Sequence, residues 1–109
     1  MHQDEIPPGT LYLLILKALA RGGELHGYEI ANWIEHVSND VLQVEEGSLY
    51  PALQRMLIKG WVTAKWGVTA GNRRARYYRL TPLGRKQLEV EVSQFERVMQ
   101  AITRAIQTA

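Results

Sequence analysis

The stretch GSLYPALQRMLIKGWVTAKWGVTAGNRRARYYRLTPLG, residues 47–84, changes its hydrophobic period twice, and those changes decide the fold. In its first third Leu49, Leu53, Met56 and Leu57 recur at the spacing of one helix face. The pattern predicts a helix from about Ser48 to Lys59, with Ser48 as N-cap, Pro51 in the first turn where a missing N–H costs little, and Gly60 as the stop. On the opposite face of that helix lie Ser48, Pro51, Gln54, Arg55 and Ile58. The period then shortens to two. Val62, Ala64 and Trp66 alternate with Thr63 and Lys65, and Tyr78 and Leu80 alternate with Tyr77 and Arg79. Strands are predicted over Trp61–Trp66 and Arg76–Leu80, joined by Gly67–Ala75 into a hairpin with a basic tip. Thr81-Pro82 is a helix start, an N-cap followed by proline at the first position.

Upstream, Pro7, Pro8 and Gly9 form a lead-in to Thr10, a good N-cap for a helix over Leu11–Ala20. Leu11, Leu14, Ile15, Ala18 and Leu19 make its buried stripe, while Tyr12, Leu13 and Leu16 are apolar off that stripe. A helix apolar nearly all round needs a second cover, and a partner subunit is one way to supply it. A second helix is expected from His26 to Val37 on the spacing of Ile30, Trp33, Ile34 and Val37, ended by Ser38-Asn39-Asp40. The connector to the third helix offers Val44 for a short extended contact.

Downstream of Pro82, Leu88, Val92, Phe95, Met99, Ile102 and Ile106 step by 4, 3, 4, 3 and 4, a heptad seam on a helix reaching about Gln107. The expected fold is therefore mainly α with a small β-hairpin: a winged helix-turn-helix, α-α-α-β-β-α, with a long C-terminal dimerisation helix. Residues 1–81 form the head and residues 82–109 the helix that pairs two copies.

The net charge of +2 conceals a segregation. Between Gly47 and Leu88 stand Arg55, Lys59, Lys65, Arg73, Arg74, Arg76, Arg79, Arg85 and Lys86, with no acidic residue among them. This 42-residue segment carries +9 and the remainder −7, a distribution that suits a polyanionic partner. The absence of cysteine removes disulfides, thiolate zinc sites and cysteine nucleophiles, and suits a reducing cytoplasm. The opening MHQDEIPPG is unlike a signal peptide, and the apolar run Leu11–Leu16 is too short to span a bilayer, so no membrane association is expected. His2, His26 and His36 lack metal-ligand spacing, and neither a phosphate-cradling glycine loop nor a nucleophile elbow occurs; no metal, no cofactor and no catalysis are expected. Trp33, Trp61 and Trp66 are read as core or wing-base packing, and Tyr77 and Tyr78 as strand packing.

Three helices followed by a basic hairpin can dock on duplex DNA. A major groove admits one helix, whose outer side chains reach base edges, while hairpin arginines neutralise phosphates. Gln54 suits adenine and Arg55 guanine, and Arg73, Arg74 and Arg76 suit phosphates. The dimer surface expected on the same reading comprises Leu11 and Leu13 with Leu88, Val92, Phe95, Met99, Ile102 and Ile106. An alternative is a protein-interaction module whose basic face meets an acidic partner. Such a module need not dimerise, and its wing arginines would not track with DNA affinity.

Four motifs carry a family resemblance. Leu25-His26-Gly27-Tyr28-Glu29-Ile30 resembles the "HGYEI" signature of the PadR family of transcriptional regulators, and Gly47-Ser48-Leu49-Tyr50-Pro51-Ala52-Leu53 its "GSLYPAL" helix start. Gly60-Trp61-Val62 is similar to its "GLI" step, and Arg76-Tyr77-Tyr78-Arg79-Leu80-Thr81-Pro82-Leu83-Gly84 to its "RKYYRLTxxG" exit. The resemblance covers about residues 11–88. It implies a homodimeric, sequence-specific regulator, a repressor by family habit, that binds a palindromic operator. It implies that His26 and Tyr28 sit near the DNA backbone or in the core of the head, and that Ser48, Tyr50 and Gln54 approach DNA. It also implies that the last helix packs on the first and last helices of the partner, and it leaves room for a small-molecule effector that no residue identifies. Some small relatives carry a tryptophan on that last helix to stack flat drugs; this chain has Phe95 and no tryptophan there.

Overall fold

The computed structural model describes residues 4–6 and 9–109. Its elements in chain order are β1 (Asp4–Glu5), α1 (Leu11–Gly22), β2 (Glu24–His26), α2 (Gly27–Val37), β3 (Leu42–Gln43), α3 (Glu46–Ile58), β4 (Val62–Val68), β5 (Arg74–Leu80) and α4 (Pro82–Gln107). Four helices and a hairpin appear in the expected order, with three short strands added. Pro7, Pro8 and His2, named in the sequence reading, lie outside the described residues.

α1 is the central helix. Ile15, Leu16, Ala18 and Leu19 are buried against Ile30 and Ile34 of α2, Leu49, Ala52, Leu53 and Met56 of α3, and Val62, Tyr78 and Leu80 of the hairpin. α1 also packs along α4. The chain itself therefore covers Leu16, which fell off the predicted stripe, and Leu13 stays half-buried.

α3 begins two residues earlier than the sequence predicts. Glu45 is the extended N-cap, and its carbonyl accepts the Ser48 and Leu49 N–H groups at 3.0 and 2.9 Å. Ser48 is thus a first-turn residue instead of a cap, and Pro51 falls in the second turn. There the proline leaves the Gly47 carbonyl without its intrahelical donor, which the exposure of both residues makes tolerable, since water can reach it. α3 ends in a Schellman arrangement: Gly60 takes φ +76°, and the Trp61 and Gly60 N–H groups donate to the Met56 and Leu57 carbonyls at 3.0 and 3.1 Å.

The hairpin is longer than predicted, pairing Val62 with Leu80 through to Val68 with Arg74. The predicted loop shrinks to residues 69–73, closed by Thr69 N–H to the Arg73 carbonyl (2.8 Å) and Arg73 N–H to Thr69 Oγ1 (3.1 Å). β2 adds a third strand that sequence reading did not anticipate, pairing His26 with Tyr77. β3 lies at Leu42–Gln43, beside β1; Val44, expected to make that contact, instead donates its N–H to a Glu35 carboxylate oxygen at 2.9 Å.

α4 starts where the wing ends. Thr81 Oγ1 accepts from the Gly84 N–H (3.0 Å) and lies within donor reach of the Gly60 and Trp61 carbonyls (2.6 and 3.1 Å). The 26-residue helix, ~39 Å long at ~1.5 Å per residue, runs past the head. The radius of gyration of 15.2 Å exceeds the ~13 Å of a compact chain of this length, as a projecting rod requires.

Candidate nucleic-acid interface

α3 presents two faces. Leu49, Ala52, Leu53 and Met56 are buried, while Ser48, Tyr50, Pro51, Gln54, Arg55 and Ile58 are exposed. The 3.6-residue period, which fixes which side meets the core, leaves these polar groups on an open surface. Arg55 is not free to swing. Its Nε donates to the Tyr12 hydroxyl, and its guanidinium lies 5.7 Å from the Tyr12 ring centre. Tyr12 in turn meets Trp61 edge-on at 5.6 Å, and Lys59 lies 5.2 Å from the Trp61 ring. Arg55 of α3 and Lys59 at its C-cap are therefore braced by aromatic rings from α1 and the wing root.

The N-terminus of α2 stands beside α3. His26 is the N-cap of α2 and not its first turn: its Nδ1 accepts the Glu29 N–H at 3.4 Å while the Glu29 carboxylate accepts the His26 N–H at 3.1 Å, a reciprocal capping box. The histidine ring also meets Tyr77 edge-on at 5.2 Å, placing it partly in the packing of the head. Tyr28, two residues further on, is 67% exposed.

The wing supplies the other wall. β4 and β5 share a face carrying Val62, Ala64, Trp66 and Val68 from one strand and Leu80, Tyr78, Arg76 and Arg74 from the other. Near the root this face is core, with Val62, Tyr78 and Leu80 buried. Burial holds the Tyr78 hydroxyl above its usual pKa; the nearby Arg76 cation partly offsets this, and Tyr50 adds to it. Towards the tip the hairpin outgrows the core, so the same inward side turns to Trp66, Arg74 and Arg76. These residues face His26, Tyr28 and Tyr50 across an open groove of about 870 Å³. Arg73 caps the groove at the tip. Arg79 and Lys65 occupy the opposite side of the sheet, where Lys65 pairs with Glu24 at 3.4 Å.

Arg73, Arg74 and Arg76 have no carboxylate partner among the described residues. Arg74 and Arg76 instead lie 4.6 and 5.8 Å from the Trp66 ring centre, and Arg76 Nε is shut from water with no acceptor. Trp66 is thus no wing-base packing residue, as the sequence had suggested, but 58% exposed on the groove wall. Sequence reading missed its role because strand alternation names a side of the sheet without saying where the core beneath it ends. Arg74 and Arg76, two residues apart on β5 with Trp66 directly opposite Arg76, were the available signal.

The apolar seam of α4 divides. Leu88, like Leu11, packs against the chain's own core, and Val92 is half-buried. Phe95, Met99 and Ile102 stand 41–45% exposed, and Ile106 77%. Among the described residues no three histidine or acidic side chains cluster as metal ligands, and no helix is long and apolar enough to cross a membrane.

Comparison with known proteins gives concordant matches. The profile of the transcriptional regulator PadR-like family matches residues 15–90. A protein of Lysinibacillus sphaericus without assigned function is 30% identical over 102 residues, covering 94% of this chain and 93% of that one. The structure of a transcriptional regulator from Clostridium thermocellum superposes with a TM-score of 0.80 at 28% identity, over 88% of this chain and 92% of that one. Bacillus subtilis PadR, solved in complex with operator DNA, superposes with a TM-score of 0.66 at 25% identity, over 76% of this chain and 46% of that longer one.

Proposed function

Since the chain belongs to the PadR-like family of transcriptional regulators, we propose that it is a cytoplasmic, sequence-specific repressor that binds a palindromic operator as a homodimer and responds to a small-molecule effector. The observation that carries the DNA-binding part is the groove. One wall is Tyr50 of α3 with His26, Tyr28 and Glu29 at the N-terminus of α2, and the other is the inward arginine face of the wing. A duplex that seats α3 in its major groove has a sugar–phosphate strand at the edge of that groove, and the channel between α3 and the wing accepts it. On this reading Gln54 and Arg55 meet base edges. Tyr50, His26 and Tyr28 flank the strand in the groove from one side and Arg73, Arg74 and Arg76 from the other, while Ser48 and Pro51, which line a separate hollow with Tyr12 and Arg55, meet the duplex outside it. The similar Bacillus subtilis protein, which was solved on operator DNA, supports the assignment.

Residues 1–81 act as the reading head and residues 82–109 as the dimerisation helix. The seam from Phe95 to Ile106, uncovered in one chain, seats against its counterpart, with the partner's Leu13 surface alongside. Two-fold pairing matches half-sites about one helical turn apart, ~10 bp. The effector acts by binding one spacing of the two heads better than the other.

The test is a gel-shift titration of the purified protein on DNA upstream of its own gene, over a salt series. Each neutralised phosphate adds about 0.9 to the slope of log K against log salt, so five contacts give a loss of about 500-fold between 50 and 200 mM. A flat salt dependence overturns the reading.

A further inference from the structure

Trp66 sits far from the core on a wing that gains no packing from it. Its indole instead carries two cations, Arg74 at 4.6 Å and Arg76 at 5.8 Å from the ring centre. Like charges gathered on one ring repel one another, and among the described residues no carboxylate lies within ion-pair distance of them; Glu29, which lines the same groove, has its carboxylate engaged by the His26 N–H. Tryptophan is the aromatic that attracts a cation best, and a guanidinium held over it keeps its terminal Nη–H donors free for a ligand, even where, as in Arg76, Nε is shut from water. The ring and both arginines line the same groove. A long, flexible side chain is thereby held in place before any ligand arrives, which lowers the ordering cost of binding.

We propose that Trp66 is a positioning residue for DNA binding, its indole holding the Arg74 and Arg76 guanidiniums where they meet a backbone phosphate of the strand in the groove. This rests on the reading of duplex DNA as the polyanion. Because a phosphate contact is independent of sequence, a mixed-sequence duplex is a sufficient probe.

The experiment measures binding of a fluorescein-labelled, mixed-sequence 24-bp duplex by anisotropy in low salt. The proteins are the full chain, Trp66→Leu, Trp66→Phe, Arg74→Ala/Arg76→Ala, and the triple variant combining Trp66→Leu with both alanines. Trp66→Leu is expected to weaken binding about five-fold, and Trp66→Phe, which keeps a ring, less than about two-fold. In the double-alanine background Trp66→Leu is expected to change affinity by no more than about 1.5-fold, because the arginines it positions are gone. The melting temperature of Trp66→Leu stays near that of the full chain, as befits an exposed side chain. An equal loss in both backgrounds, or no loss in either, overturns the positioning role while leaving DNA binding intact. A parent chain that fails to bind duplex DNA in a salt-dependent way overturns both readings together.

Discussion

Replacing Gly84 with alanine sets two opposed effects against each other, and the structure decides the sign. Gly84 lies in the first turn of α4, where alanine is favoured over glycine by up to ~1 kcal/mol on helix propensity alone. An added Cβ, however, falls 2.0 Å from the Trp61 carbonyl oxygen and 2.9 Å from its carbon. To reach ordinary contact at 3.4 Å, α4 or the wing root must shift by more than 1 Å. That carbonyl is already engaged, 3.0 Å from the Thr81 N–H and 3.1 Å from Thr81 Oγ1. Overpacking costs about 1–3 kcal/mol, and loosening the Thr81 contacts about 1 kcal/mol each. After the propensity gain, Gly84→Ala is expected to destabilise by about 2–4 kcal/mol, lowering the melting temperature by about 10–20 °C. Thermal unfolding followed by circular dichroism, at fixed protomer concentration, reads this directly. Gly47→Ala is the control: its Cβ meets nothing within 4 Å, so helix propensity alone predicts a stabilisation of up to ~1 kcal/mol. A Gly84→Ala protein that melts at or above the parent temperature would refute the described junction, and with it the fixed angle between head and α4.

Three further outcomes are expected. Ile102→Glu places a charge on the uncovered seam, so it raises the dimer dissociation constant by about 100-fold or more while leaving the head folded; sedimentation equilibrium with far-ultraviolet dichroism checks both. Gln54→Ala changes which sequences are selected from a random pool, whereas Arg74→Ala weakens binding to all of them by a similar factor; identical behaviour of the two would undo the division of roles. Burial raises the Tyr78 pKa above 10.0, so as pH climbs past 10 the unfolded chain releases this proton before the folded one does, and stability falls. Urea titrations at rising pH should show a shallower fall for Tyr78→Phe than for the parent chain.

Much of the head was legible in the sequence because its signals are local. The apolar period of α3, the Gly60 stop and the Thr81-Pro82 start each depend on a few neighbouring residues, and each is present. What escaped was set by tertiary partners. β2 is three residues long, too short for a periodic signal, and is a strand only because β5 runs beside it. The start of α3 moved because the extended Glu45 takes the cap position ahead of the serine. Arg55 was legible as an exposed cation, but its tie to Tyr12 joins positions 43 residues apart, which no spacing rule reaches. The groove shows the same limit. Its residue types were named from charge, and which side of the hairpin they share followed only once the register was known.

That register also links the two halves of the molecule. The wing root supplies the Trp61 carbonyl on which Thr81 and Gly84 seat α4, so the helix leaves the head at an angle set by the same hairpin whose tip carries the arginines. In the homodimer we propose, this makes the distance between the two arginine faces a property of backbone packing and not of linker length. Glycine and threonine at the junction leave no flexible segment between wing and rod: β5 ends at Leu80 and α4 begins at Pro82. A head joined this rigidly cannot adapt to operators of arbitrary spacing, since each added base pair also rotates the half-site by about 34° around the duplex. Inserting one base pair between half-sites should therefore cost more affinity than altering any single contacted base, and an operator that tolerates the insertion would show that the junction bends.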